Sequence, residues 1–399
     1  MIIELKEYET ASIGQEVIGS SWGEYLWRTY DQRGGQLRVE EPGFRNGHRW
    51  QITSQGWVGT IPLTADLHLH LLPKVPLTNL FRMLEYAYRL QSFQLMGGLV
   101  GLATLADFYE RLAHLLASRV MKRVQLGLSQ SYLPQAKAVP YVRGRLQRSW
   151  PQPWQTAVLC QYDHFTADIP DNQILAYTLR QIARSHICRE EVQTAVRRAY
   201  RAVKGAVSEV DVGVEAVVGR VYSRLNQDYQ PMHALCRFFL EQSGPSHQVG
   251  DQEMIPFLVN MARLYELFVA EWLKANLPPP WQVKAQETVH IGLNNELQFE
   301  IDLVIEDGAG NPRYVLDTKY KTPDKADNAD ISQIIAYATA KSCRQAILIY
   351  PTPLPQPLDL WLDDIHIRTL TFSLAGDLEG AGEQFLGALF GDDNNELEK

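Results

Sequence analysis

Two apolar strand-like runs near residue 310 carry charges where their alternation leads one to expect none. Asp302 sits inside Phe299-Glu300-Ile301-Asp302-Leu303-Val304-Ile305, and the next run reads Tyr314-Val315-Leu316-Asp317-Thr318-Lys319-Tyr320-Lys321. Alternate residues of a strand share a face, so Asp317, Lys319 and Lys321 project together. Hydrolysis of a phosphodiester needs what that face offers. Hard carboxylate oxygens hold Mg²⁺, which keeps several of its waters, and Mn²⁺ is expected to substitute. The ion lowers the pKa of water and stabilises charge building on the phosphate. A neighbouring lysine orients or helps deprotonate the water and offsets that charge. A lone D-x-K on a strand is most often a solvated hairpin. Here the flanks are strongly apolar, and a second acid, Asp302, stands at hairpin distance on the preceding strand.

Two helical residues join this set. Glu266 lies at the margin of the apolar stripe Met261, Leu264, Tyr265, Phe268 and Trp272, where it is either a solvated helix charge or a further carboxylate for the metal. Gln333 and Tyr337 are four apart, off the buried stripe Ile331, Ile334, Ile335 and Ala338, and therefore share a face. Such a glutamine is placed to position water or to contact a phosphate.

The elements that must hold these residues follow an α-β-β-β-α-β order over 254–350. A helix at about 256–275 precedes strands at Gln282–Ile291, Leu297–Glu306 and Arg313–Tyr320. A helix at about 329–342 and a strand at Gln345–Tyr350 complete it, with turn chemistry at Asn294-Asn295 and Asp307-Gly308. Upstream, residues 1–76 read as strands and turns. Helices are expected at about 77–95 and 104–126, broken at Met96-Gly97-Gly98, and a mainly helical block spans 171–242 with Asp171 as N-cap. The prolines of Trp150-Pro151-Gln152-Pro153-Trp154 mark a boundary. The expected architecture is mixed α/β, or α+β. A β-rich N-terminal domain with helices (1–150) and a helical connector (151–250) lead into the domain that carries the acids (251–388). A disordered acidic tail (389–399) ends the chain.

The bulk numbers set limits. The chain has 399 residues, 45% hydrophobic and 21% charged, as in ordinary globular proteins. It lacks an apolar run of the roughly 18 residues that suggest a membrane span and a signal-peptide pattern. Four scattered cysteines suit buried thiols in a reducing cytoplasm better than disulfides or a zinc site. The net charge of −8 and pI of about 5.7 are unfavourable for seizing DNA unaided, since phosphate neutralisation supplies most non-specific affinity. No GxxxxGK[ST] occurs, so this chain is expected to bind no nucleotide through a P-loop.

Other candidates carry less. His68 and His70 share a strand face without a third ligand nearby in sequence, and Asp163-His164 lacks a nucleophile pattern. Arg184, Arg189, Arg197, Arg198, Arg201 and Lys204 make a basic helical segment, either a solvated face or a path for a DNA backbone. Lys137, Arg143, Arg145 and Arg148 could serve DNA or a partner.

Taken in order, the motifs resemble the PD-(D/E)xK nuclease superfamily and, over most of residues 57–350, the McrC family. The nuclease stretches are Leu264-Tyr265-Glu266-Leu267-Phe268, Glu300-Ile301-Asp302-Leu303-Val304, Val315 to Lys321 and Gln333-Ile334-Ile335-Ala336-Tyr337-Ala338. Outside them, Leu72-Pro73-Lys74-Val75, Val142-Arg143-Gly144-Arg145-Leu146, Asp171-Asn172-Gln173-Ile174-Leu175 and Leu225-Asn226-Gln227-Asp228-Tyr229 are similar to that family. The resemblance implies metal-ligand roles for Asp302 and Asp317, the catalytic lysine role for Lys319 and accessory positions for Glu266 and Gln333. It also implies docking on a hexameric AAA+ GTPase of McrB type, stimulation of its GTP hydrolysis, and cleavage of double-stranded, modified DNA. Two other readings stand beside it: a chain that chiefly activates the ring, and a stand-alone nuclease of repair type.

Overall fold

The computed structural model describes residues 1–64, 67–90, 104–146, 157–185, 187–244, 247–249, 252–291 and 297–391. In chain order these begin with β1 (Ile2–Lys6), β2 (Thr10–Ile13), α1 (Ser20–Leu26), β3 (Leu37–Glu40), β4 (Trp50–Ser54), β5 (Trp57–Pro62), β6 (His68–Leu72) and α2 (Leu77–Ala87). Then come α3 (Leu105–Leu126), β7 (Ser131–Val139), β8 (Arg145–Leu146), β9 (Val158–Thr166), α4 (Pro170–Arg184), α5 (Glu190–Lys204), α6 (Tyr229–Gln242), β10 (His247–Val249) and β11 (Gln252–Met254). The last part holds β12 (Phe257–Asn260), α7 (Met261–Asn276), β13 (Gln282–Ile291), β14 (Leu297–Glu306), β15 (Pro312–Thr318), α8 (Asn328–Ala340), β16 (Gln345–Tyr350), β17 (Asp359–Leu362), β18 (Ile365–Thr371) and α9 (Leu378–Phe390). The mixed α+β class expected from the sequence is what the chain adopts. Among the described residues no helix is long and apolar enough to cross a membrane. The helix break at 96–98, the proline boundary at 150–154, Arg148 and the turn at 294–295 lie outside the described residues, as does 392–399 of the expected tail.

The chain divides into two compact units, residues 1–105 with 257–399, and residues 106–256. These differ from the sequence divisions at 150 and 250, because strands far apart in sequence pair. Phe257–Asn260, expected as the start of a helix, is instead β12, antiparallel to β5 in the sheet β1-β6-β5-β12. The helix begins four residues later than that run of apolar residues suggests, where the Asn260 side chain accepts from Arg263 N at 3.0 Å as an N-cap. Gly59 makes the pairing possible. Its φ is 146°, and a Cβ there would lie 2.0 Å from Phe257 O, so no other side chain fits. The N-terminal region also holds α1, where only strands and turns are expected from sequence.

The same unit contains a six-stranded sheet of order β13-β14-β15-β16-β18-β17. The β13–β14 and β14–β15 pairs are antiparallel, and β15–β16 and β16–β18 are parallel. The parallel β15–β16 step needs a crossover, which α8 supplies. One core gathers Val304, Val315, Ile334, Ala338, Ala346 and Leu348, all buried. Helix α7 buries Phe268 and Trp272, whose rings meet Phe372 at 5.1 and 5.0 Å. Helix α2 is tied to the same region: the Tyr86 and Phe268 rings are 5.8 Å apart, and Asn79 Nδ2 donates to the carbonyls of Leu374 and Gly376. The expected α-β-β-β-α-β order is present, and β17, β18 and α9 extend it.

In the second unit, α3 to α6 form the helical part. Phe108 and Phe238 meet edge to face at 6.1 Å. His233 is buried, with Nε2 3.0 Å from Asp171 O and Nδ1 2.9 Å from the Tyr222 hydroxyl. Asp171 lies in the first turn of α4 rather than at its N-cap, which is Ile169. A three-stranded sheet of order β7-β9-β8, largely exposed along β7, lies between α3 and α4 in the chain. Of the four free cysteines, Cys160, Cys236 and Cys343 are buried and Cys188 is partly so.

Candidate active site

The acids stand where the sheet opens. The β14–β15 ladder runs to Leu303 opposite Leu316; past that pair β15 continues alongside β16, with Asp317 opposite Leu348. Asp302 and Asp317 are therefore the next residues beyond the end of their shared ladder. Freed from pairing there, the chain satisfies its backbone with a side chain. Asp302 Oδ2 accepts from Thr318 N at 2.9 Å and from Thr318 Oγ1 at 3.0 Å. Lys319 lies just beyond β15 and is held in place by its N–H donating to Ile349 O at 2.8 Å.

The side chains converge. Lys319 Nζ is 2.7 Å from Asp317 Oδ2 and 3.7 Å from Asp330 Oδ1. It also donates to Gln333 Oε1 at 3.0 Å, while Gln333 Nε2 donates to the Tyr337 hydroxyl at 2.6 Å. The four-residue spacing of Gln333 and Tyr337 on α8 makes that second bond. Asp330, one turn before Gln333, also pairs with Lys321 Nζ at 2.5 Å. Sequence reasoning missed Asp330 and Thr318. Asp330 carried a signal, three residues ahead of Gln333 on the same helix, whereas nothing in the sequence marks Thr318.

Burial sets the electrostatics. Asp317 is 2% exposed. Burial, reinforced by the Asp302 charge and only partly offset by Lys319, pushes its carboxyl up to about 7. Asp302 is also raised, first by burial and then by Glu266, against the Thr318 hydrogen bonds. For Lys319, burial favours the neutral amine, but Asp317, Asp330 and Asp302 outweigh it and raise the pKa. The ammonium is thus fixed in its charged form among three acids.

Glu266 stands differently. Its Oε1 accepts from Arg263 Nη1 at 2.7 Å and from Gln286 Nε2 at 2.9 Å. Among the described residues no group of three or more His, Cys, Asp or Glu side chains is disposed to hold a metal ion, so Glu266 does not close a three-acid cluster with Asp302 and Asp317. The two aspartates nonetheless suit a hard cation. Their carboxylate oxygens are hard donors, and Asp317 Oδ2 already lies buried 2.7 Å from the Lys319 ammonium, whose positive charge compensates it.

The remaining candidates have surroundings of their own. His68 and His70 have ring centroids 6.4 Å apart. Asp163 and His164 are exposed on β9. On the basic segment, Arg189, Arg197 and Lys204 are in ion pairs with Glu110, Glu190 and Glu209. On the β7-β9-β8 sheet and its connections, the Arg143 guanidinium lies 4.2 Å from the Tyr162 ring centroid; Lys137 and Arg145 are exposed.

Residues 52–351 match the family described as McrBC 5-methylcytosine restriction system component. The chain belongs to the McrBC family. The McrC resemblance read from the motifs agrees with that match. No curated protein matches the sequence. Among solved structures, this McrBC-family chain is similar to a chain of the Thermococcus gammatolerans assembly of McrB AAA+ hexamers with bound McrC. The identity is 18% and the TM-score 0.57, covering 98% of this chain and 100% of that one. A second chain, from the cryo-EM structure of the T. gammatolerans McrBC complex, is 19% identical with a TM-score of 0.45 over 70% and 88% of the two chains. The first likeness places the McrBC-family sequence in a fold already seen over its full length.

Proposed function

We propose that this chain is the Mg²⁺-dependent DNA endonuclease subunit of a McrBC-type restriction system, with a PD-(D/E)xK site at Asp302, Asp317 and Lys319. The observation that carries this reading is the convergence of the buried Asp317, the half-buried Asp302 and one charged lysine where the β14–β15 ladder ends. Asp302 and Asp317 are the residues that would hold Mg²⁺, with Glu266 as the accessory carboxylate. When bound, the ion supplies positive charge at the scissile phosphate and acidifies water.

The chain's own residues do the rest. Lys319 donates hydrogen bonds to the attacking water and to the phosphate oxygen gaining charge. Gln333 and Asp330 hold its ammonium in line, and the Gln333–Tyr337 bond fixes the amide that does so. Attack on phosphorus breaks the bond to the 3′ oxygen, which leaves with a proton as the 3′-hydroxyl while the phosphate stays on the 5′ side. The family match and the assembly of McrB AAA+ hexamers with bound McrC support a hexameric AAA+ GTPase of McrB type as the partner, its GTP hydrolysis stimulated by this chain. Modified double-stranded DNA is then the substrate.

The test is cleavage of modified plasmid DNA by the chain with its partner, Mg²⁺ and GTP. Asp317→Ala and Lys319→Ala are each expected to lower cutting by about 10²–10⁴-fold while still co-eluting with the partner. Retained cutting in either variant removes the assignment.

A further inference from the structure

A cleft of about 460 Å³ opens beside the proposed cleavage site, within the unit that contains it. That volume lies in the range of small-molecule sites. Its walls include Tyr8, Lys74, Pro76, Tyr320, Lys321 and Pro323, drawn from the β1–β2 turn, the segment after β6 and the segment after β15. Aromatic faces and two cations with prolines between them are the lining of a site for a stacked, negatively charged ligand.

Three observations show that this lining is built. Tyr8 is held at φ 61°, a backbone conformation that bulky side chains rarely adopt and that persists where the surroundings enforce it. Its ring is half-exposed, with Lys74 Nζ 4.9 Å from the centroid. Beneath them Glu7, 1% exposed, fixes both walls. Its Oε1 accepts from Lys74 N at 2.9 Å and from the Tyr320 hydroxyl at 3.2 Å. The cleft is also linked to the proposed site by an ion-pair network, since Asp330 lies 2.5 Å from Lys321 on the cleft wall and 3.7 Å from Lys319. The Leu72-Pro73-Lys74-Val75 motif, unused by the catalytic set, thereby acquires a place in the molecule.

We propose that the cleft receives one unstacked nucleotide of the DNA strand next to the cleaved phosphate, with Tyr8 as the stacking face and Lys74 and Lys321 as backbone-phosphate contacts. The proposal rests on the nuclease reading for the identity of the ligand. A strand nucleotide is favoured over a free nucleotide because the basic wall is shared with the cleavage site through Asp330.

The test measures binding without hydrolysis, so that it is independent of whether the site cuts. A fluorescein-labelled ten-nucleotide single-stranded DNA is titrated with the full chain in EDTA and followed by anisotropy. Tyr8→Ala and Lys74→Ala are each expected to weaken binding by about tenfold, and Tyr8→Phe to retain it. Lys74→Ala should also lower the salt slope by about one. Lys74 contributes only a surface side chain, so that variant carries the test even if Tyr8→Ala fails to fold. Unchanged affinity in Lys74→Ala overturns the proposal, as does competition by dCMP or GDP as effective as that of the unlabelled oligonucleotide. Failure of Lys319→Ala to affect cleavage, with the binding losses intact, would instead sink the nuclease reading alone.

Discussion

Lys319 is surrounded by groups that each do a different job, and this division makes the residues separable by experiment. Asp317 contacts the ammonium directly, Asp330 stands further off, and Gln333 receives one of its protons. Gln333→Ala leaves the charge in place but frees its direction. Cleavage is expected to fall by about 10–100-fold, the usual loss when an orienting partner is removed, and single-turnover rates with saturating partner would show it. A loss as deep as that of Lys319→Ala would mean that Gln333 touches substrate itself. Asp302, Asp317 and Lys319 were legible in the sequence because charges inside apolar runs are costly unless used. Thr318 was not, since its role depends on where the β14–β15 ladder ends, which local pattern does not record; Asp330 had its place one turn ahead of Gln333 on α8 as a signal that went unread.

Between elements, close approach decides more than composition. Strand β12 lies against β5 only because Gly59 lacks a Cβ, so Gly59→Ala is expected to destabilise the protein by more than about 2 kcal/mol, read as a lower urea midpoint. The misreading of Phe257–Asn260 as helix has the same origin. Three apolar residues, Phe257, Leu258 and Val259, ahead of a real helix carry no period of their own, and only the partner strand settles their state. Strands β17 and β18 and helix α9 lay beyond the motifs on which the sequence reading concentrated. At the α4–α6 contact, burial lowers the pKa of His233. Folded protein resists protonating it, whereas the unfolded chain takes a proton near 6.5. Stability is therefore expected to be independent of this group above pH 6.5 and to fall below it, by up to about 1 kcal/mol per unit until the folded pKa is reached. Melting curves from pH 7.5 to 5.5 should show a smaller slope in His233→Gln than in the native chain; identical slopes would contradict the burial argument.

For the molecule as a whole, the half that holds Asp302, Asp317 and Lys319 is not self-sufficient. Residues 257–391 contribute β12 and α7, whose partners β5 and α2 lie before residue 105. Expressed alone, the 251–388 segment is expected to expose the α2-facing side of α7, including Phe268 and the Glu271 partner of Arg89, and to lack a cooperative thermal transition by circular dichroism. A transition at the temperature of the full chain would show that the segment folds unaided. The class of fold and the order of elements around the acids were readable from periodicity. This interdependence was not, because it is written in pairings nearly two hundred positions apart. It also has a consequence for the cell that makes the protein. A polypeptide released before residue 302 lacks Asp302, Asp317 and Lys319, and a fragment that begins after residue 105 lacks the β5 and α2 on which β12 and α7 pack. On the proposed reading, neither piece cuts DNA, because each lacks half of the arrangement that cutting needs.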